Sequence, residues 1–428
     1  MEQQTVYVSF DEKEVNPDWS FKNVRSVEQW THGYHRYPAK FLPNLVKKLI
    51  EEYTKEDDLV ADLFAGCGTT LVEARVHGRR SVGVDINPVA ELITKAKICP
   101  IWPEKLEEYY DSFVMVIEDF REEDFLVIPV HKRLDYWFKK EQKAQIAYLY
   151  KKILMLDDEE IKTFMLVSLS HILKNCSRWL QTSTKPQVDP NKVIPDPFII
   201  FQSHTRQMMK KNKEYYEYLD DKKYLDVSCE IKLGDARKTD IPSNSVEAII
   251  TSPPYVTSYE YADIHQLTAY WFEYLTDLVG FRKNFIGTFF SYNVETNFSS
   301  AIGQKIIDDL LLKDKRTAKE VANYFRDMDK VAKEMQRILK EEGYACLVIG
   351  NTTLRNVKIR SAEVLTDILV SNGFEMVEII KRSIPNKLIP TIRDKDSGRF
   401  TKLNSINSKL VYPEEYILIA KNSKYGNS

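Results

Sequence analysis

Four short segments of this chain hold residue types whose order points to chemistry rather than packing. In Asp62-Leu63-Phe64-Ala65-Gly66-Cys67-Gly68-Thr69-Thr70, two glycines one residue apart let the backbone approach a ligand where a side chain would block it. A dinucleotide cradle asks for a third glycine where this chain has Leu71, so a pyrophosphate ligand is disfavoured. Asp62 sets a negative charge beside the loop, which suits a cation such as a sulfonium better than a phosphate. Asp85 follows seventeen residues past Gly68, where a carboxylate can accept from both ribose hydroxyls of a nucleoside; its bland alternative is a cap on the turn before Asn87-Pro88. Asp235, in Gly234-Asp235-Ala236-Arg237, is placed to accept from an adenine amino group, or else is a plain turn aspartate. The fourth segment, Ser252-Pro253-Pro254-Tyr255, is the most specific. Two consecutive prolines are costly inside a sheet ladder or a helix, so a rigid corner is expected directly after the apolar run from Val246 to Ile250.

Alternating strand and helix patterns carry these segments. Phe41, Leu42, Leu45, Val46, Leu49 and Ile50 recur at helical spacing, with Pro43 suited to a first turn. The run from Leu59 to Phe64 reads as a strand entering the glycine turn, Thr70 to Val76 as a helix stopped by Gly78, and Ser81 to Asp85 as a second strand. That succession is the form of a right-handed βαβ unit in a parallel sheet. From about 101 to 225 helical spacing dominates, as in Ile146, Leu149 and Ile153, while Pro186, Pro190, Pro195 and Pro197 predict a loop or extended arm over 182–198. Strands return at Ser228 to Leu233, Val246 to Ile250 and Tyr344 to Ile349. The last is preceded by a long amphipathic helix from Val321 to Leu339 that Gly343 is expected to close. Further strands near 375–380 and 415–420, joined by a basic connection, complete an α/β pattern divided as 1–100, a helical insertion over 101–225, and 226–428.

With 428 residues, 43% hydrophobic and 29% charged, the chain can build two or three structural units and a sizeable core without staples. No run of about eighteen uncharged apolar residues occurs, which disfavours a membrane span. The polar start Met1-Glu2-Gln3-Gln4-Thr5 is no secretory signal, so a cytoplasmic protein is expected. Five cysteines without a C-x-x-C pair argue against a disulfide framework or a thiolate zinc site; they read as buried reduced thiols, and no metal is expected. The net charge of −2 excludes a polycation, but its distribution is uneven. Residues 161–213 hold nine Lys or Arg against two Asp, and 381–409 hold eight against two, leaving −15 for the remainder.

Together, the double-proline corner and the glycine loop make the chain resemble the amino-group DNA methyltransferases that use S-adenosylmethionine. Ser252-Pro253-Pro254-Tyr255 matches that family's (Asp/Asn/Ser)-Pro-Pro-(Tyr/Phe/Trp) motif, Asp62 to Thr70 matches its glycine loop, and Tyr37-Pro38-Ala39-Lys40-Phe41 resembles its cofactor-side motif. The order along the chain resembles the members with the cofactor half first. The resemblance implies a Rossmann-like methyltransferase fold with a mostly parallel seven-stranded sheet, S-adenosylmethionine as cofactor and double-stranded DNA as partner. The expected cofactor-binding residues are Tyr37, Lys40, Phe41, Asp62, Phe64, Ala65, Gly66, Gly68, Thr69, Thr70, Asp85, Asn87, Asp235 and Ala236.

The same resemblance gives the corner its chemistry. An exocyclic amine of cytosine or adenine has its lone pair delocalised into the ring, and two hydrogen-bond acceptors are needed to draw it back. The Ser252 hydroxyl and the Pro253 carbonyl, stiffened by Pro254, are expected to supply them, while Tyr255 stacks on a base swung out of the duplex. No covalent intermediate is needed, and the chain lacks the Pro-Cys dipeptide of the ring-carbon enzymes. Serine at the first motif position is typical of cytosine-N4 enzymes and Asp or Asn of adenine-N6 enzymes, so cytosine-N4 is the expected product and adenine-N6 the alternative. Tyr259, Tyr261 and His265 are candidates to enclose the base, whereas Trp271 reads as core. DNA phosphates are expected to meet Lys174, Arg178, Arg206, Lys210 and Lys211 on one side of a cleft and Arg393, Lys395 and Arg399 on another. The insertion is a candidate target-recognition region, although it lies between Asp85 and Asp235, earlier than is usual in the family. A cognate restriction endonuclease fits as a partner. An RNA-base methyltransferase, a non-catalytic S-adenosylmethionine-binding module and a nicotinamide oxidoreductase are the rival readings.

Overall fold

The computed structural model describes residues 10–22, 29–38, 40–121, 131–183, 185–256, 261–275, 277–287, 300–384, 392–394, 408–410 and 414–423. Its spine is a seven-stranded sheet of β1 (Leu59–Asp62), β2 (Arg80–Asp85), β3 (Cys229–Leu233), β4 (Val246–Thr251), β5 (Leu339–Ile349), β6 (Phe374–Ser383) and β7 (Glu414–Asn422). The strands stand in the order β3-β2-β1-β4-β5-β7-β6. β1 pairs in parallel with β2 and β4, β2 with β3, and β4 with β5, while β7 runs antiparallel between β5 and β6. The expected mostly parallel sheet is present. Because the chain runs outward from β1 in both directions, the crevice beyond the carboxyl ends of β1 and β4 is a topological switch point, the place where open α/β sheets take their ligands.

Both faces of the sheet are covered, so its central strands read as continuous apolar runs. Ile249, Ala345, Leu347 and Ile349 face one layer with the helices Ala301–Leu311, Lys315–Ile338 and Ser361–Ser371. Their neighbours Ile250, Cys346 and Val348 point the other way, against Leu45, Val46, Leu49 and Ile50 of α1 (Pro43–Tyr53). α1 begins at Pro43 as expected. Between β1 and β2 lies α2 (Thr69–Val76), and α3 (Pro88–Ile98) follows β2, its first turn capped by the Asn87 side chain.

Two local expectations shift. The amphipathic helix spans Lys315–Ile338, its N-terminus capped by Asp314, and it ends before Gly343. Leu339 is already paired with Val246, so Gly343 lies inside β5 and does not stop the helix. Pro197, expected in the loop over 182–198, instead opens a helix, where its missing N–H costs nothing.

Residues 103–222 form α4 (Pro103–Glu118), α5 (Lys132–Trp137), α6 (Lys140–Leu154), α7 (Glu159–Leu173) and α8 (Pro197–Lys222). They have a core of their own, with Trp137, Phe164, Trp179 and Phe201, joined to the sheet through Val89 and Ile93 of α3. Trp271 is fully buried in the same core, as its pattern indicated. No described helix is long and apolar enough to cross a membrane. All five cysteines are unpaired. Burial pushes the Cys99 and Cys176 thiols up to about 12 and Cys229 to about 11, so these three stay protonated at neutral pH.

Candidate active site

Beyond the carboxyl ends of β1, β2 and β4 lies a cavity open to solvent. Segments distant in the chain converge on it. Tyr37, Lys40 and Phe41 come from ahead of α1; Asp62, Phe64, Ala65, Gly66 and Thr69 from the glycine loop. Asp85 and Asn87 follow β2, Asp235 and Ala236 follow β3, and Ser252 and Pro254 follow β4. Gly68 and Thr70 do not form its wall. Gly68 precedes α2 with φ +76°, and a Cβ there would stand 2.7 Å from Thr94 Cγ2, so it shapes the turn. Thr70 is fully buried and donates to the Ile250 carbonyl at 3.3 Å, tying α2 to β4. The sequence reading missed Leu63, Cys67, Ile86, Phe285 and Ile286 in the wall. The first three are chain neighbours of motif residues; Phe285 and Ile286 carry no motif signal.

Two carboxylates dominate the electrostatics. Asp62 Oδ1 accepts from the Thr251 hydroxyl at 2.5 Å and from the Phe64 N–H at 3.0 Å, yet burial pushes its pKa up to about 6. Asp85 accepts from the N–H of Gly66 at 2.8 Å and of Asn87 at 2.9 Å, so it caps the turn and lines the cavity at once. Burial, reinforced by the nearby Asp62 charge, likewise raises it to about 6. Among the described residues neither carboxylate has an ion-pair partner. Two desolvated carboxylates in one open cavity fit a cationic ligand with a nucleoside part.

The hydrogen bonds bear on three expectations. Asn87 lines the cavity, but its amide is committed: Oδ1 accepts from the Val89 N–H at 3.0 Å and Nδ2 donates to His265 Nδ1 at 2.8 Å. His265 is buried, its pKa lowered by burial to about 4, and its ring lies 4.9 Å from that of Tyr37, on the cofactor side of the site. Of the companions proposed with it, Tyr259 and the Tyr261 side chain lie outside the described residues. Asp235 meets Arg237 with both oxygens, at 2.9 to 3.0 Å from Nε and 2.7 Å from a terminal nitrogen, so any adenine contact uses only its remaining lone pairs. Arg237 also pairs with Asp327 at 3.2 Å and donates to the Asn284 carbonyl at 3.1 Å, fixing the segment that brings Phe285 and Ile286 to the cavity.

At the corner, the Ser252 hydroxyl donates to the Val348 carbonyl at 3.1 Å. Pro253 and Pro254 contribute no N–H, so the corner offers acceptors rather than donors. Tyr255 is not part of the cavity wall; its hydroxyl donates to Glu415 at 2.8 Å. Asn351, at the end of β5, is spent on the helix Ser361–Ser371, accepting from the Ala362 N–H and donating to Glu363, each at 2.9 Å.

The basic candidates divide. Lys174 is half-buried and donates to the carbonyls of Gln181 and Ser183 at 3.0 and 2.8 Å, so it knits its own turn together. Lys211 is paired with Glu214 at 2.6 Å, and Arg178 reaches the Tyr136 carbonyl at 3.5 Å. Arg206 is exposed over the Tyr110 ring, and Lys210 is exposed on the same helix. Arg393 lies in the short strand Ile392–Asp394, paired with Ser408–Leu410; Lys395 and Arg399 lie outside the described residues. Lys381 and Arg382 are paired with Glu414 and Glu415, so part of the second basic surplus is neutralised within the sheet.

A parallel sheet with one antiparallel strand inserted near its edge, and an acidic cavity at its switch point, define the fold of the S-adenosylmethionine-dependent methyltransferases. A solved structure of that description from Methanosarcina mazei aligns over 88% of this chain and 97% of its own, at 9% identity and a TM-score of 0.30. The chain belongs to the N6/N4 DNA methylase family, whose model matches residues 2–96 and 246–427, more than half of its length. It is thus an amino-group DNA methyltransferase with S-adenosylmethionine as methyl donor, and the two carboxylates fit that donor's cationic, nucleoside-bearing structure. Its relatives include the type II methyltransferase M.MvaI of Kocuria varians, 26% identical over 93% of this chain and 92% of that protein. M.MjaII of Methanocaldococcus jannaschii is 23% identical over 69% and 71%.

Proposed function

We propose that this protein methylates the N4 amine of cytosine in double-stranded DNA, acting on a base turned out of the helix. The reading rests on Ser252. Its proton is committed to the Val348 carbonyl, so what it presents to a substrate is lone pairs, and the serine stands where the family's cytosine-N4 members carry one. Ser252 Oγ and the Pro253 carbonyl accept the two amine hydrogens, pulling them out of conjugation and restoring a nucleophilic lone pair. Tyr255 stacks on the extruded ring. Asp85 accepts from the ribose hydroxyls, Asp62 supports the positive charge, and Phe285 and Ile286 cover the apolar part of the donor. When bound, the donor supplies an electrophilic methyl group on a positively charged sulfur.

The helical region over 101–225 is the natural reader of the target sequence, since the family model leaves 97–245 unmatched while the catalytic halves on either side match. Arg206, Lys210 and the Arg393, Lys395 and Arg399 group supply phosphate contacts. The type II relatives favour a cytoplasmic modification role beside a restriction endonuclease. Methylating unmethylated genomic DNA with the purified protein, hydrolysing it and separating the nucleosides by mass spectrometry tests the product. N4-methylcytosine is expected; N6-methyladenine alone would overturn the base assignment, and methyl transfer confined to RNA would overturn the substrate.

A further inference from the structure

Tyr255 is held at its hydroxyl and along one ring edge by residues far away in the chain. Its hydroxyl donates to Glu415 Oε2 at 2.8 Å, and the other Glu415 oxygen is bound by a terminal nitrogen of Arg382. Arg382 and Glu415 face each other across the antiparallel β6–β7 pair and are 2% and 8% exposed. On its edge, the ring lies against Gly350, just past β5: a Cβ there would stand 2.8 Å from Tyr255 Cε2.

A buried ion pair is a poor stabilising device, because desolvating both charges offsets most of their attraction and an apolar pair of similar volume often does as well. This one is costlier than usual, since Arg382 Nε is buried with no hydrogen-bond partner among the described residues. What the pair does supply is a charged acceptor at a fixed point, held so that the phenol has one preferred orientation. A hydrogen bond to an ionised carboxylate is shorter and stronger than a neutral one, so it fixes the ring's axis, and the Gly350 contact at the off-axis Cε2 then fixes the rotation about that axis.

We infer that Glu415, held by Arg382, is a positioning residue for the reaction: it sets the plane of the Tyr255 ring on which the target base stacks. The inference rests on the base-stacking role of Tyr255 proposed above and adds the residues that enforce it. The motif position tolerates phenylalanine elsewhere in the family, so the requirement belongs to this chain's own β6–β7 edge.

The test is a kinetic cycle on the full-length protein, with labelled S-adenosylmethionine and unmethylated genomic DNA. Tyr255→Phe keeps the ring and removes the anchor. The double variant Arg382→Met/Glu415→Leu removes the acceptor and leaves no unpaired buried charge, which protects the fold. Gly350→Ala pushes on the ring edge while leaving the donor and acceptor groups in place. Each is expected to lower kcat by about tenfold, the lower end of what a hydrogen bond to a charged group contributes. The calorimetric Kd for the methyl donor and the thermal unfolding profile should stay near wild type. Combining Tyr255→Phe with the double variant should lower kcat no further than either alone, because all three changes break one contact. Wild-type kcat in Tyr255→Phe, or losses that multiply in the combined variant, would overturn the inference while leaving the proposed function standing. A wild-type protein that binds the donor but transfers no methyl group to DNA would overturn both.

Discussion

Replacing Asp62 by asparagine should make the protein more stable and a poorer binder of its methyl donor at the same time. The substitution is gentle in shape, because Oδ1, which accepts from Thr251 and Phe64, is retained and only the charge is lost. Burial raises the Asp62 pKa from 3.8 to about 6. A carboxylate raised in the folded state contributes stability that is complete below its unfolded value and is lost as pH climbs through its folded value. At pH 7.5 the ionised group therefore weakens the donor-free fold by about 3 kcal/mol, and its removal should recover much of that. Donor binding carries the opposite sign. With Asp62 and Asp85 both near 6, the doubly ionised cavity predominates at pH 8. It falls to about 1% of molecules at pH 5, so affinity for a cationic donor should drop about a hundredfold across that interval. Carboxylates at their ordinary pKa would lose almost nothing over the same range. Calorimetric titration with S-adenosylmethionine at half-unit steps measures this directly: below pH 6 the logarithm of Kd should approach a slope of two in the wild type and one in Asp62→Asn. A flat profile, or a variant that binds normally and melts lower, would refute the electrostatic account of the cavity.

Ser252→Ala should reduce kcat by about a hundredfold, the scale seen when one preorganised polar contact to a reacting centre is removed, and leave the donor Kd unchanged; parallel losses in both would show that it serves donor binding instead. Gly68→Ala forces a side chain into a left-handed backbone and against Thr94, and should cost about 2 kcal/mol in urea unfolding, with wild-type stability as the contrary result. Changing Arg393, Lys395 and Arg399 together to alanine should flatten the salt dependence of DNA binding by a slope of about 3, whereas Lys174→Ala should leave it intact and lower stability. The reverse pattern would return Lys174 to the DNA surface.

The parts of the site that could be read from the sequence are those built by local rules. The strand, glycine turn, helix and strand from Leu59 to Asp85 follow from apolar runs and a left-handed Gly68, and they place Asp62 and Asp85 in the wall of one cavity. The double-proline corner is equally local. What stayed hidden depends on partners distant in the chain. Arg237 precedes its clamp on Asn284 and Asp327 by many residues, and nothing in Phe285 or Ile286 marks them as cavity wall. Lys174 is basic like a phosphate contact, but the turn that follows it, up to Ser183, offers its ammonium two carbonyls. Gly343 has the look of a helix stop because apolar spacing continues to Leu339, where the strand pairing has already begun.

The excursion of helices between β2 and β3 governs how the molecule can be made. Ser81 of β2 finds Cys229 as its neighbour, and Val60 of β1 finds Ala248 on its other side, so the growing chain holds a ribbon only two strands wide until the helices have been synthesised. Such a ribbon is marginal in water, while the helices can bury Trp137, Phe164 and Phe201 among themselves through short-range contacts that form quickly. Most of that helical core is thereby made before β4 and Ser252, and three of the seven strands, β5, β6 and β7, are made after them.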